Sequence, residues 1–154
     1  MGLLSKDLKI RLGILALQSI QLAYELSDGR VRPPADRFPI LLLRVRGRRT
    51  GTLRTVALVY VEESDRLAVI GSRGGDDRPP AWLLNLQANP VAEVQVGRHR
   101  WPVHARVAEG SERERLWKRA NRFGPYDQYQ SRTHRRIPVV VLEPEHGDER
   151  QPGL

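Results

Sequence analysis

Leucines recur along the first part of the chain at the spacing of an α-helix. They lie at Leu8, Leu12, Leu15, Leu22 and Leu26, and side chains three, four or seven positions apart share one face of a helix. Polar residues fall on another face, at Arg11, Gln18, Gln21 and Glu25. The pattern predicts an amphipathic helix over residues 5–27, ended by a left-handed cap at Gly29. We expect this helix to pack on the rest of the domain, with peripheral membrane contact as the alternative.

Short apolar runs separated by turn residues follow. The run at residues 40–45 is continuous, which suits a strand buried on both faces. Further strands are predicted at residues 53–61, 67–71, 91–96, 100–108 and 137–142, and helices at 81–87, 111–123 and 126–132. Ser111 and Glu114 are spaced as a capping box at the start of the second of these helices. Such a series of strands predicts an α+β fold, an antiparallel barrel of about six strands with flanking helices.

Length and composition narrow the class of protein. The chain has 154 residues and no cysteine, which suits one domain and excludes disulfides and thiolate ligands. Its histidines lack metal-ligand spacing, so no metal site is predicted. No apolar run is long enough to cross a membrane, and the basic start lacks a cleavage site. We expect a cytoplasmic protein with a helix and connector at 1–37, a barrel domain at 38–144 and a polar tail at 145–154.

The positive charge is concentrated in one segment. The formal net charge is +8, and residues 40–61 contain five arginines and no acidic residue. Within it, glycines flank a tight turn at residues 47–51, where successive backbone N–H groups can form an anion-binding nest. Arg48, Arg49 and Arg54 add forked donors suited to phosphate, and Thr50 adds a hydroxyl. The segment predicts a compact anion site, with a charged, solvent-exposed hairpin as the alternative.

Two further segments carry candidate chemistry. Residues 72–75 contain a double glycine directly after a strand, which lets the backbone approach a flat ligand closely. Trp82 lies downstream and suits either a ring-stacking position or the core. Tyr126 and Tyr129 share one face of a helical turn, where their hydroxyls meet either a substrate or solvent.

Together these segments resemble the deazaflavin-dependent nitroreductase family, in the flavin/deazaflavin oxidoreductase superfamily. The resemblance spans residues 38–144 and rests on the order of residues 47–55, 72–75, 80–90, 126–133 and 137–144. It departs from the family pattern at Leu83, Leu84 and His134, and the first 37 residues match no segment we recognise. The resemblance implies a split β-barrel that binds coenzyme F420, a deazaflavin with a phosphate and an oligoglutamate tail.

The resemblance also implies roles for individual residues. The implied cofactor-binding set comprises Arg48, Arg49, Thr50, Gly51 and Arg54 at the phosphate, Val56, Ala57 and Leu58 at the ring, Ser72, Arg73, Gly74 and Gly75 at its other edge, Arg73 and Arg78 toward the glutamyl carboxylates, and Trp82 and Asn85 at the pocket wall. Tyr126, Tyr129 and Ser72 are the implied catalytic residues.

The implied activity is hydride transfer from reduced F420 to an electron-poor acceptor such as a quinone, an enone or a nitroaromatic compound. One alternative is the same barrel with FMN, haem or a fatty acid. Another is a small basic nucleic-acid-binding barrel, but aromatic residues make up only 6% of the chain, too few for stacking on bases along the strands. We therefore expect a small-molecule substrate, no nucleic-acid partner, and a monomer or homodimer.

Overall fold

The structure is a computed structural model that describes residues 5–145. Six antiparallel strands close into a barrel in the order β1-β2-β3-β6-β5-β4. They are β1 (Ile40–Arg46), β2 (Leu53–Glu63), β3 (Arg66–Ile70), β4 (Val91–Val96), β5 (His99–Val107) and β6 (Val139–Pro144). The helices are α1 (Lys6–Leu26), α2 (Ala81–Ala88), α3 (Gly110–Ala120) and α4 (Tyr126–Ser131), with a 3₁₀ turn at Arg73–Gly75. The predicted fold class is confirmed.

Strand β1 is buried on both faces, as its continuous apolar run predicts. Leu41 and Leu43 point into the barrel and join its main core cluster. Ile40 and Leu42 point outward and pack against Tyr24 of α1. Because α1 covers this outer face, β1 needs no alternation of apolar and polar residues.

Helix α1 packs through the face opposite the leucine stripe. Ile10 and Tyr24 are buried, and Leu17 and Ile20 pack against the cluster that contains Tyr24. The five stripe leucines remain between 42% and 80% exposed. At 100° per residue the two apolar stripes lie on opposite sides of the helix. The more regular stripe is thus not the one that the barrel covers.

Close contacts fix the end of α1. The Tyr24 hydroxyl accepts a hydrogen bond of 2.6 Å from the Gly97 N–H. Gly29 has φ +82°, the predicted left-handed conformation, and a Cβ on it would lie 1.8 Å from the Gly97 oxygen. The absence of a side chain at Gly29 therefore lets the end of the helix meet the β4–β5 hairpin.

The predicted capping box at the start of α3 is wrong. The helix is preceded by Glu109, and no side chain caps it. The Ser111 Oγ instead accepts a 3.4 Å hydrogen bond from Arg115 within the helix. The helix begins at Gly110, with φ +57°, two residues before the first helical position that a capping box with Ser111 as N-cap requires.

Two further properties concern the described residues alone. None of the helices within residues 5–145 is long and apolar enough to cross a membrane. The same part of the chain contains no group of three or more potential metal ligands. The predicted polar tail lies outside the described residues after Glu145, and the predicted domain boundaries stay predictions.

Candidate functional site

A cavity of about 1010 Å³ lies between α1 and the barrel. One wall is the inner face of α1, and the opposite wall is the part of β2 that extends beyond β3. The turn after β1 and the loop after β3 form two sides, and α4 forms a third. The lining includes most of the predicted site, namely Arg48, Arg49, Thr50, Arg54, Val56, Ala57, Leu58, Ser72, Arg73, Gly74, Trp82, Asn85, Tyr126 and Tyr129.

The segment after β1, residues 47–54, is here called the arginine turn. It is closed by a 2.8 Å hydrogen bond from the Gly51 N–H to the Gly47 oxygen. Asn85 in the middle of α2 accepts from both the backbone N–H and the side chain of Arg48, at 3.1 and 2.9 Å. The side chains of Arg49 and Arg54 are exposed and form no hydrogen bond or ion pair with any other described residue. The turn therefore presents one oriented guanidinium and two uncompensated ones to the cavity.

The segment after β3, residues 71–78, is here called the clamped loop. Arg135 donates three hydrogen bonds to its backbone oxygens, at Gly71 (3.0 Å), Ser72 (2.8 Å) and Asp76 (2.8 Å). Arg132 donates a fourth to Gly74, at 2.9 Å. These bonds hold a conformation that is strained at Arg73, whose φ is +46°, and that Gly74 and Gly75 follow with φ of +63° and +86°, which glycine adopts readily.

The charges of the clamped loop are compensated within the loop. Asp76 lies 3.3 Å from the Arg73 Nε and 3.0 Å from the Arg78 Nη2. Burial acts to raise the pKa of Asp76, but hydrogen bonds from the side chain and backbone of Arg78 and the charges of both arginines hold this pKa below its ordinary value. Arg73 lines the cavity, whereas Arg78 points away from it and is largely exposed.

Gln21 of α1 binds the open edge of β2. Its Nε2 donates to the Thr55 oxygen at 3.0 Å, and its Oε1 accepts from the Ala57 N–H at 3.3 Å. Pairing of β2 with β3 begins only at Tyr60, so these backbone groups face the cavity instead of a strand. The sequence analysis placed Gln21 on the polar face of the helix and missed it as a site residue. Only the barrel closure reveals the edge that it contacts.

Two tyrosines of α4 border the cavity opposite the arginine turn. The rings of Tyr126 and Tyr129 meet edge to face at 5.7 Å, and Arg132 lies over the Tyr129 ring at 5.2 Å. Tyr126 is buried, and its burial, together with Tyr129, raises the pKa of its hydroxyl. Tyr126 is therefore a neutral hydrogen-bond donor throughout the physiological pH range.

Some of the remaining predicted residues line the cavity, and others lie outside its lining. Trp82 belongs to the main core cluster and also lines the cavity, so its core position is confirmed and its stacking on a ring stays a prediction. Of the predicted set, Gly51, Gly75 and Arg78 do not contribute to the lining. Arg135, which clamps the loop from behind, was missed because a lone arginine before a strand carries no distinguishing pattern.

Comparisons with known proteins place this geometry in a family. The family model described as F420H(2)-dependent quinone reductase matches residues 17–144. The chain belongs to this family. An F420H(2)-dependent quinone reductase of Mycobacterium tuberculosis is 38% identical over 145 residues, which cover 90% of this chain and 97% of the relative.

Two solved structures agree with this membership. An F420-H2 dependent reductase, FDR-A, is 43% identical and has a TM-score of 0.63, with 68% of this chain and 94% of that chain covered. A structure described as a domain-swapped dimer is 37% identical and has a TM-score of 0.65, with 84% and 98% covered. These findings confirm the resemblance, the split-barrel fold and the class of F420-dependent oxidoreductase.

The match corrects the extent of the resemblance. It begins at residue 17, within α1, whereas the sequence analysis recognised nothing before residue 38. The second half of α1, including Gln21 and Tyr24, therefore lies within the range that the family model matches, together with the barrel.

Proposed function

We propose that this chain reduces quinones, with reduced F420 as the hydride donor. The observation that carries the proposal is the cavity, which joins an arginine turn with uncompensated charge to an apolar wall and an open strand edge. An anionic group and a flat heteroaromatic ring need these features at opposite ends of one pocket.

The donors present fit the cofactor. Arg49 and Arg54 offer charge that no described carboxylate neutralises, and Arg48 is oriented by Asn85. Directly after Arg54, the Thr55 oxygen and the Ala57 N–H bind the amide of Gln21. The pyrimidine edge of a deazaflavin carries the same pairing of one acceptor beside one donor. The residues on both sides of the cavity are thus chemically suited to phosphate and ring.

The cofactor, when bound, supplies the hydride, and the protein supplies orientation, exclusion of water and a proton. Val56, Ala57 and Leu58 form the wall for the ring, and Ser72, Arg73 and Gly74 form the side contributed by the clamped loop. Tyr126, whose hydroxyl stays neutral, is suited to donate a hydrogen bond to the acceptor oxygen, and Tyr129 is suited to orient that acceptor or to deliver the proton. Arg73 is the arginine of the clamped loop that lines the cavity and is therefore suited to contact the glutamyl tail, although it shares Asp76 with Arg78.

A cofactor titration tests the proposal directly. Fluorescence titration of the purified chain with F420 and with FMN should give much tighter binding of F420. Oxidation of reduced F420 should then require both the protein and a soluble quinone. Comparable affinity for FMN, or no F420 binding at micromolar protein, contradicts the cofactor assignment. F420 binding without quinone reduction contradicts only the acceptor, and enones and nitroaromatic compounds are then the substrates to compare.

Substitution of Tyr126 and Tyr129 distinguishes a role in the reaction from a role in cofactor binding. Tyr126→Phe and Tyr129→Phe should lower turnover while F420 affinity stays unchanged. A loss of about 10- to 1000-fold indicates proton donation, and a smaller loss indicates positioning. The measurement is steady-state oxidation of reduced F420 beside a cofactor titration of each variant. Equal losses of turnover and affinity place the tyrosines at the cofactor instead.

Two expectations about partners stay predictions. A small-molecule acceptor follows from the family, whereas peripheral membrane contact through residues 5–27 has only the exposed leucines in its favour. A homodimer is consistent with the relative that is described as a domain-swapped dimer.

A further inference from the structure

The leucine stripe of α1 is an apolar surface that nothing in residues 5–145 covers. Leu15, Leu22 and Leu26 are 59%, 58% and 80% exposed, although they sit on a well-formed helix whose other face is anchored. Exposed apolar patches of this extent on a soluble domain mark sites of association. We propose that this stripe binds the same stripe of a second copy of the chain, with the two helices antiparallel.

The spacing of the stripe suits a paired helix. Counting Ser19, its positions are 8, 12, 15, 19, 22 and 26, which alternate steps of four and three residues. This is the seam of a two-helix coiled coil. Ser19 is the polar position in the seam, and its hydroxyl already donates a 3.0 Å hydrogen bond to the Leu15 oxygen. Its burial would therefore leave no donor unsatisfied.

The symmetry of the seam selects one alignment. An antiparallel pair that sets Leu8 against Leu26 of the partner subunit also sets Leu12 against Leu22 of the partner subunit. Every layer is then repeated by the two-fold axis, as an isologous interface requires. One flank of the seam carries Ala16 and Ala23, whose small side chains let the helix axes approach closely.

Charge favours this alignment over a parallel one. In the antiparallel pair, Arg11 faces Glu25 of the partner subunit on the flank opposite the alanines, and symmetry makes two such pairs. The side chain of Arg11 forms no hydrogen bond or ion pair with another described residue, and the side chain of Glu25 accepts a 2.8 Å hydrogen bond from Gln21 of the same helix. In a parallel pair, Arg11 would face Ala16 instead, and neither charge would be matched.

The area is sufficient for a reversible dimer. Burial of the stripe and its flanks on both copies gives about 1,000 Å² in total, at the low end of specific interfaces. The contact is also continuous with the functional site, because Lys9, Ala16 and Gln18 beside the stripe line the cavity. A second copy would thus border the cavity and contact its lining at Ala16.

Sedimentation velocity of the full chain over a range of concentrations tests the surface. The wild type should show a monomer–dimer equilibrium in the micromolar range, and the double variant L15E/L22E should remain monomeric with an unchanged melting temperature. Val91→Glu is the matched control, since Val91 is 46% exposed on β4, and its dimer should persist. A monomeric wild type, or a dimer that survives in L15E/L22E, overturns the proposal.

A charge exchange tests the orientation. Arg11→Glu and Glu25→Arg should each weaken the dimer about tenfold, and the combined R11E/E25R variant should restore it, because both pairs are then re-formed in reverse. A combined variant no stronger than the single ones rules out the antiparallel alignment. Vesicles of phosphatidylglycerol and phosphatidylcholine provide the competing outcome. Binding of a monomeric wild type, lost in L15E/L22E, assigns the stripe to a membrane and overturns the dimer.

Discussion

The arginine turn and the clamped loop flank the same cavity with similar residues, yet their arginines do different things. Both segments are rich in glycine and arginine, and both follow a strand of the barrel. In the arginine turn, Arg49 and Arg54 lack a carboxylate partner among the described residues. In the clamped loop, Asp76 pairs with Arg73 and Arg78. One acidic residue therefore separates a site that attracts anions from a site that fixes its own shape.

The difference extends to the backbone. The arginine turn is closed by its own short-range hydrogen bonds, with Gly51 the residue of positive φ. The clamped loop holds three successive residues with positive φ and relies on Arg132 and Arg135 from outside. A conformation that is strained and held from outside depends on its supporting residues. Loss of support should therefore affect the clamped loop far more than the arginine turn.

Removal of the Arg135 clamp should have the largest effect. Arg135→Ala removes three hydrogen bonds from a guanidinium to backbone oxygens, so the free energy of unfolding should fall by about 3 kcal/mol. F420 binding should weaken as well, because the loop lines the cavity. Chemical denaturation measures the first effect and a cofactor titration the second. The adjacent, exposed Arg136→Ala is the control and should change neither; an equal loss in both variants contradicts the clamp.

The two segments also differ in what the sequence could predict. The arginine turn is recognisable from residues 47–55 alone, because its closing contacts are local and its chemistry rests on side chains near in sequence. The clamp is not, since Arg135 lies about sixty positions from the oxygens that it binds. Gln21 was missed for the same reason, as its partners on β2 become an open edge only once the barrel closes. Helix α1 shows the same limit, because periodicity identified the leucine stripe, whereas the barrel covers the opposite face, which carries Ile10 and Tyr24.

Replacement of one glycine by alanine in each segment should lower stability more in the clamped loop than in the arginine turn. In Gly75→Ala, the new Cβ would lie 2.6 Å from the Tyr129 oxygen at a φ of +86°, so we expect a loss of about 2–3 kcal/mol in stability. In Gly51→Ala, φ is +70° but no atom lies within 4 Å of the new Cβ, and only the backbone strain of about 1 kcal/mol applies. Thermal and chemical unfolding compare the two. Equal losses of stability in the two variants would mean that the close approach of the new Cβ to the Tyr129 oxygen of α4 has no destabilising effect.

Removal of single arginines should weaken F420 binding more in the arginine turn than in the clamped loop. Arg49→Ala and Arg54→Ala should weaken F420 binding by about 2 kcal/mol each, the scale of a charge-assisted hydrogen bond, with little change in stability because both side chains are exposed. Arg48→Ala should show the same loss of binding and also leave Asn85 with one donor fewer. Arg78→Ala should leave binding nearly unchanged. Unaltered affinity in all three variants of the turn would place the phosphate elsewhere.

Acid should weaken the clamped loop slightly and leave the arginine turn unchanged. The pKa of Asp76 is held below its ordinary value in the folded chain, so its ion pairs stabilise the fold fully above the unfolded pKa of about 3.9. This contribution is lost as the pH falls through the lower, folded pKa. Asp76→Asn should therefore reduce the free energy of unfolding by about 1 kcal/mol at neutral pH, and the difference from the wild type should shrink below about pH 4. Paired denaturation curves at several pH values isolate this effect from the other carboxylates, which titrate alike in both proteins. A difference that stays constant into acid would show that Asp76 acts in the loop through its shape and not through its charge.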